Sequence, residues 1–153
     1  MGNAVVKTEI DKLVAEYGEG KSKTNALACA WIIANYKGIN IKAFDVSKTS
    51  SLCDYNIMAT ATNTTQAQTM IDEIKENLKR HGSVVVSLEG MDSGEWILLD
   101  LGDVIVHIFQ DFSRDVFNLD ELWKDQEQLD IPQEFYFSRD LGNNKETAEE
   151  GYF

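Results

Sequence analysis

The chain has 153 residues, 43% of them apolar and 26% charged, with a formal net charge of −12 at neutral pH. Such a length and composition predict one globular domain with a core of its own and exclude a disordered or fibrous chain. The acid excess (18 acids against 12 bases up to Lys124, and 8 against 2 after it) argues against direct nucleic-acid binding, which rests on Lys and Arg. It suits a basic protein partner, which opposite charge attracts and orients.

Residues 4–17 place Val5, Val6, Ile10, Leu13, Val14 and Tyr17 at helical spacing, and Gly18 and Gly20 end the pattern. A second helix, about 24–36, is apolar nearly all round and should be buried. A strand at 39–46, a polar turn at 47–51 and a strand at 54–62 follow. Asn63 with Gln66 three residues on forms a capping-box-like start for a helix over 64–81. Lys75, Lys79 and Arg80 crowd its end, where cations suit the helix dipole, and Gly82 stops it. His81 is expected in solvent there.

Residues 84–88 read as a third strand. Trp96–Asp100 and Asp103–Phe109 read as two more, joined by a tight turn at Leu101-Gly102. Val104-Ile105-Val106 is apolar on both faces, which predicts a central strand. Short helical pieces at 111–117 and 118–124 close the pattern. The expectation is an α/β (α+β) fold, with a mixed five-stranded sheet flanked by helices. Three parts are expected: an N-terminal helical extension and linker (1–21), the domain proper (22–124), and an acidic, flexible tail (125–153).

Cys29 and Cys53 lie in no metal-ligand spacing and read as reduced, buried thiols. No apolar run is long enough to span a membrane, and the first residues lack the basic-then-apolar order of a signal peptide, so the protein is expected in the cytoplasm. Phosphate-binding glycine loops, a nucleophile elbow and HExxH are absent. Asp100 and Asp103 near His107 could hold magnesium as part of a phosphoryl-transfer site, or serve the turn through their own backbone hydrogen bonds. His107 reads as core, interface or catalytic base. Leu101 is unusual as an apolar residue in a turn, where a side chain tends to face solvent, and exposed apolar groups with acidic neighbours often mark a contact surface.

Glu89-Gly90, followed by Trp96-Ile97-Leu98-Leu99-Asp100-Leu101-Gly102-Asp103-Val104-Ile105-Val106-His107-Ile108-Phe109, resembles the signature of the ribosomal silencing factor family, the Iojap-like proteins: EG, a gap, then WxxxDxGDVxVHxF. Downstream, Arg114, Phe117, Leu119, Leu122 and Trp123 resemble the family's R-x-x-[YF]-x-L-x-x-LW ending. Upstream, Asp45-Val46, Ser50-Ser51, Asp54-Tyr55 and Gln66 also match. The resemblance covers about residues 26–124. Ala61, Thr65 and Asn56 depart from it, standing where the family has Gly, Arg and an apolar residue.

The resemblance implies a nucleotidyltransferase-like fold without catalysis or cofactor. It implies a translational repressor that binds the fourteenth protein of the large ribosomal subunit and blocks joining of the small one, with a role in large-subunit assembly among organelle relatives and dimers in isolation. The partner-binding set it implies is Trp96, Leu99, Asp100, Leu101, Gly102, Asp103 and His107, with Trp96 and Leu101 as anchors. The alternative is a nucleotide-binding enzyme using Asp100 and Asp103 with magnesium. A third reading is a dimeric scaffold joined through Phe109, Phe112 and Phe117.

Overall fold

A computed structural model describes residues 4–136. In chain order the elements are α1 (Ala4–Tyr17), α2 (Ser22–Asn35), β1 (Ile39–Asp45), β2 (Tyr55–Ala61), α3 (Thr64–Arg80), β3 (Ser87–Glu89), β4 (Trp96–Asp100), β5 (Val104–Gln110), α4 (Asp111–Phe117), α5 (Leu119–Leu122) and β6 (Glu127–Gln128). The sheet runs β3-β4-β5-β2-β1-β6. Its pairs are antiparallel except β2 with β5, which are parallel because α3 carries the chain across between them. The fold is thus the mixed, helix-flanked sheet expected, with six strands in place of five.

The sixth strand arises in the segment read as tail. Glu127 and Gln128 pair with Asp45 and Phe44, and the Leu129 amide donates to the Ala43 carbonyl at 2.7 Å. Backbone bonds are the main support of this two-residue polar strand, with Lys48 3.9 Å from Glu127, so no apolar alternation announces it. Phe135 is also buried in the main core. The remainder of the expected tail, 137–153, lies outside the described residues. The third strand begins at Ser87 and not at Val84, and Val84 and Val86 are exposed.

Strand alternation divides the sheet residues into two sets. One set, with Ile57, Ala59, Val104, Val106, Ile108, Ile97 and Leu99, packs with α2 and α3 in the main core. α2 is buried at every position from Thr24 to Ala34, as its unbroken apolar run requires. It is sandwiched between the sheet and α1, which lays Val6, Ile10, Leu13 and Val14 on it. Asp11 ties α1 to the end of α3 through Arg80 (2.8 Å) and His81 (2.9 Å); His81 also reaches Glu19 at 3.4 Å, so it is an inter-helix contact and not a solvated end residue.

The other set, with Phe44, Asn56, Met58, Trp96, Leu98, Ile105, His107 and Phe109, faces away from α2 and α3. The long helices leave this face uncovered. The β1–β2 loop and the short helices α4 and α5 cover part of it, the helices held by buried Arg114. The Arg114 guanidinium donates to both carboxylate oxygens of Asp120 (3.0 Å each), to the Asn40 carbonyl (2.7 Å) and to the Thr60 hydroxyl (3.0 Å). Asn118 supplies the left-handed residue between the two short helices, at φ +50°. The second face therefore keeps a groove between the sheet and α5.

Candidate functional site

The groove has a volume of about 550 Å³. Trp96 and Leu98 of β4 line it with Ile105 and His107 of β5, Asn56 of β2, and Val46, Leu52 and Cys53 around the β1–β2 loop; Leu119, Leu122 and Trp123 line it from the α5 side. Its rings form a connected row. Trp123 lies against Phe44 (5.7 Å) and His107 (5.5 Å). Trp96 lies 6.0 Å from His107, stacks on Phe109 at 5.1 Å and touches Phe117 at 4.6 Å. Such rings combine a large apolar area with few rotors, which suits them to anchor a partner. Large apolar side chains stand exposed about this face: Leu52 (81%), Leu122 (67%) and Phe117 (49%).

His107 forms the floor. Trp96 Nε1 donates to His107 Nδ1 at 3.2 Å, and His107 Nε2 meets Asn56 Oδ1 at 3.1 Å. Burial pushes its pKa down to about 4, because the charged ring loses its water. The imidazole is therefore neutral near pH 7 and presents a ring without charge to the groove.

The structure separates the expected site residues into two groups. Trp96 is half-buried in the groove wall, His107 is buried in its floor, and Asp100 is on the same face of β4. Leu99 is fully buried on the helix side. Leu101, expected as an exposed anchor, is 6% exposed and belongs to the main core. Its amide donates to the Val104 carbonyl at 2.9 Å, so the strand pairing runs on through it, and its side chain follows Ile97 and Leu99 onto the helix side. Gly102 takes φ +94°, which completes the turn.

The two carboxylates serve the turn as well. Asp100 Oδ1 accepts from the Gly102 amide at 2.8 Å. Asp103 Oδ2 accepts from Asn25 Nδ2 at 3.0 Å, and its carbonyl accepts from the amides of Asp54 (2.8 Å) and Tyr55 (3.2 Å). The hairpin tip is thus fastened to α2 and β2. Among the described residues no three His, Cys, Asp or Glu side chains are grouped to hold a metal ion. Phe109, expected on a self-association surface, is fully buried under Trp96, whereas Phe112 and Phe117 are exposed.

Leu52, Leu119, Leu122 and Trp123 were not among the expected site residues. Leu119, Leu122 and Trp123 read as the apolar side of a short helix, and Leu52 as part of a loop. The signal that could have found them is their spacing: Leu119, Leu122 and Trp123 make a stripe on a helix too short to bury it.

Residues 19–151 match the family model described as ribosomal silencing factor during starvation. A ribosomal silencing factor of Bacillus subtilis is 36% identical over 92 residues, 60% of this chain and 78% of that protein. One from Haemophilus influenzae is 38% identical over 87 residues, 57% of this chain and 85% of the relative. A crystal structure of a Chromobacterium violaceum protein superposes with a TM-score of 0.59 at 32% identity, covering 78% of this chain and 88% of that one.

Proposed function

The chain belongs to the ribosomal silencing factor family, and from that membership we propose that it represses translation by docking on the fourteenth protein of the large ribosomal subunit and occupying space the small subunit needs. The observation that carries the docking site is the groove left on the second face of the sheet, which the two short helices cover only in part, with its aromatic row and exposed apolar rim. Trp96, Leu122 and Trp123 are the proposed anchors. His107 holds Trp96 from beneath, and Asp100 supplies a carboxylate on this face. Leu99, Leu101, Gly102 and Asp103 act from behind, by fixing the hairpin that carries Trp96. The cytoplasm, where large subunits are met, is the proposed place of action.

No bond is made or broken in this mechanism. The partner's apolar groups displace water from the groove, the basic groups around them meet the acid excess, and the bulk of the domain blocks subunit joining. The rival reading, an enzyme holding magnesium between Asp100 and Asp103, loses its motive because those carboxylates face different internal donors. Exposed Phe112, Val116 and Phe117 favour self-association through a neighbouring patch.

Co-sedimentation with isolated large subunits tests the docking. Leu122 is exposed, so Leu122→Asp should leave the circular dichroism spectrum and melting temperature unchanged while weakening association at least tenfold, about 1.4 kcal/mol. Wild-type association of that variant and of Trp96→Ala would overturn the site. Titration with ATP and Mg²⁺ should leave the melting temperature where it was.

A further inference from the structure

We propose that Asn56 is a positioning residue for the docking face: acting through His107, it sets which edge of the Trp96 indole a partner meets. Its consequence for binding rests on the docking reading above, whereas the geometry behind it is independent. Asn56, His107 and Trp96 sit on three neighbouring strands, β2, β5 and β4, with their side chains on one face. Asn56 is 7% exposed and His107 5%.

An indole N–H can only donate, so the 3.2 Å contact from Trp96 requires a lone pair on His107 Nδ1. A neutral imidazole carries one ring proton, which must then sit on Nε2. That buried N–H needs an acceptor, and Asn56 Oδ1 lies 3.1 Å away. The amide thereby selects the tautomer that leaves Nδ1 free to receive the indole. Burial keeps the ring neutral, so the arrangement holds throughout the physiological range.

Stacking on Phe109, at an interplanar angle of 29°, and the tilted contact with Phe117 fix the plane of the indole. They leave open which way round the ring sits, because a half-turn about the Cβ–Cγ bond keeps the plane and carries Nε1 to the opposite edge. The hydrogen bond to His107 removes that freedom before the partner arrives, which lowers the ordering cost of binding. Without an acceptor at position 56, the ring satisfies its Nε2 proton only by turning or by changing tautomer, and either change takes Nδ1 away from Trp96.

The test uses the full chain, ¹⁵N-labelled, with Asn56→Leu, Asn56→Asp and Trp96→Ala as variants. NMR reports the protonation of the His107 ring nitrogens and the solvent exchange of the Trp96 indole N–H; sedimentation with large subunits reports binding. The wild type should show Nε2 protonated, Nδ1 bare and a protected indole N–H. Asn56→Leu should speed indole exchange at least tenfold. Asn56→Asp sets a carboxylate beside Nε2, favouring an imidazolium whose two nitrogens both donate, so Trp96 loses its acceptor below the new His107 midpoint and regains it above. A merely structural role for Asn56 would give no such pH dependence. Asn56→Leu, and Asn56→Asp below that midpoint, should bind large subunits several-fold more weakly than wild type but better than Trp96→Ala; above the midpoint Asn56→Asp should recover.

Unchanged ring protonation and indole exchange in both variants would overturn the proposal. So would faster exchange with wild-type binding, provided Trp96→Ala abolishes binding. If Trp96→Ala binds normally, the docking reading is what fails, and the NMR arm still decides whether Asn56 orients the indole. If Asn56→Asp does not fold, the indole exchange rate in Asn56→Leu decides between the two outcomes.

Discussion

Arg114 is buried, and its charge is balanced by Asp120, which also meets Lys42 at 3.0 Å. The Arg114 hydrogen bonds hold the Asp120 pKa down at about 2, against an ordinary value of 3.8. A depressed carboxylate pKa stabilises the fold at every pH above the unfolded value and loses that contribution as pH falls through the folded one. Between pH 4 and pH 2 the wild type should therefore lose about 2 kcal/mol that Asp120→Asn does not lose, by urea denaturation at stepped pH. Gly90 is a second residue whose identity is dictated. Its φ is +86°, and a side-chain carbon there would collide with the Trp96 carbonyl oxygen. Gly90→Ala should cost about 2–4 kcal/mol in the same assay and displace the start of β4. The EG pair was visible in the sequence; the reason for it, a backbone passing close behind the docking tryptophan, required the fold.

Among the elements, α3 was the most legible. The Asn63 side chain accepts from the Gln66 amide at 2.8 Å, as the pair implied, but Gln66 reaches back to the Thr62 amide (2.7 Å) and hydroxyl (2.9 Å), one residue before the cap. Asn63→Ala should cost about 1 kcal/mol in chemical denaturation. The expected bounds of α1, β4 and α4 coincide with the observed ones: Gly18 stops α1, and the turn at Leu101-Gly102 ends β4. The hairpin turn was legible as a turn, and the direction of Leu101 could have been read too: it continues the alternation of Ile97 and Leu99 onto the helix side, a signal outweighed in the sequence reading by the usual exposure of turn residues. Strand β6 is two polar residues held by main-chain bonds, and no side-chain pattern encodes that. Half of the docking face was equally hidden. Trp96 and His107 were named from the hairpin, but their meeting with Leu122 and Trp123 depends on how Arg114 folds two short helices back over the sheet.

For the molecule as a whole, the dominant number is the charge of −12. Association with a basic surface should be steered by it. Raising salt from about 0.05 to 0.5 M should slow the association rate with large subunits tenfold or more and leave dissociation nearly constant, as read by stopped-flow mixing. Salt-insensitive association would mean that the acid excess serves some other purpose.

The parallel seam between β2 and β5 has a temporal consequence. Tyr55 faces Val104 and Ala61 faces Gln110, although all of α3, β3 and β4 intervene along the chain. The β1–β2 and β4–β5 hairpins can each close over short loops, while the junction between them must wait for a long one. A newborn chain is expected to form two separate ribbons first, each with one inner edge bare, until the crossover helix brings them together. Whatever speeds or delays that late zippering sets how long those edges stay open to a wrong neighbour.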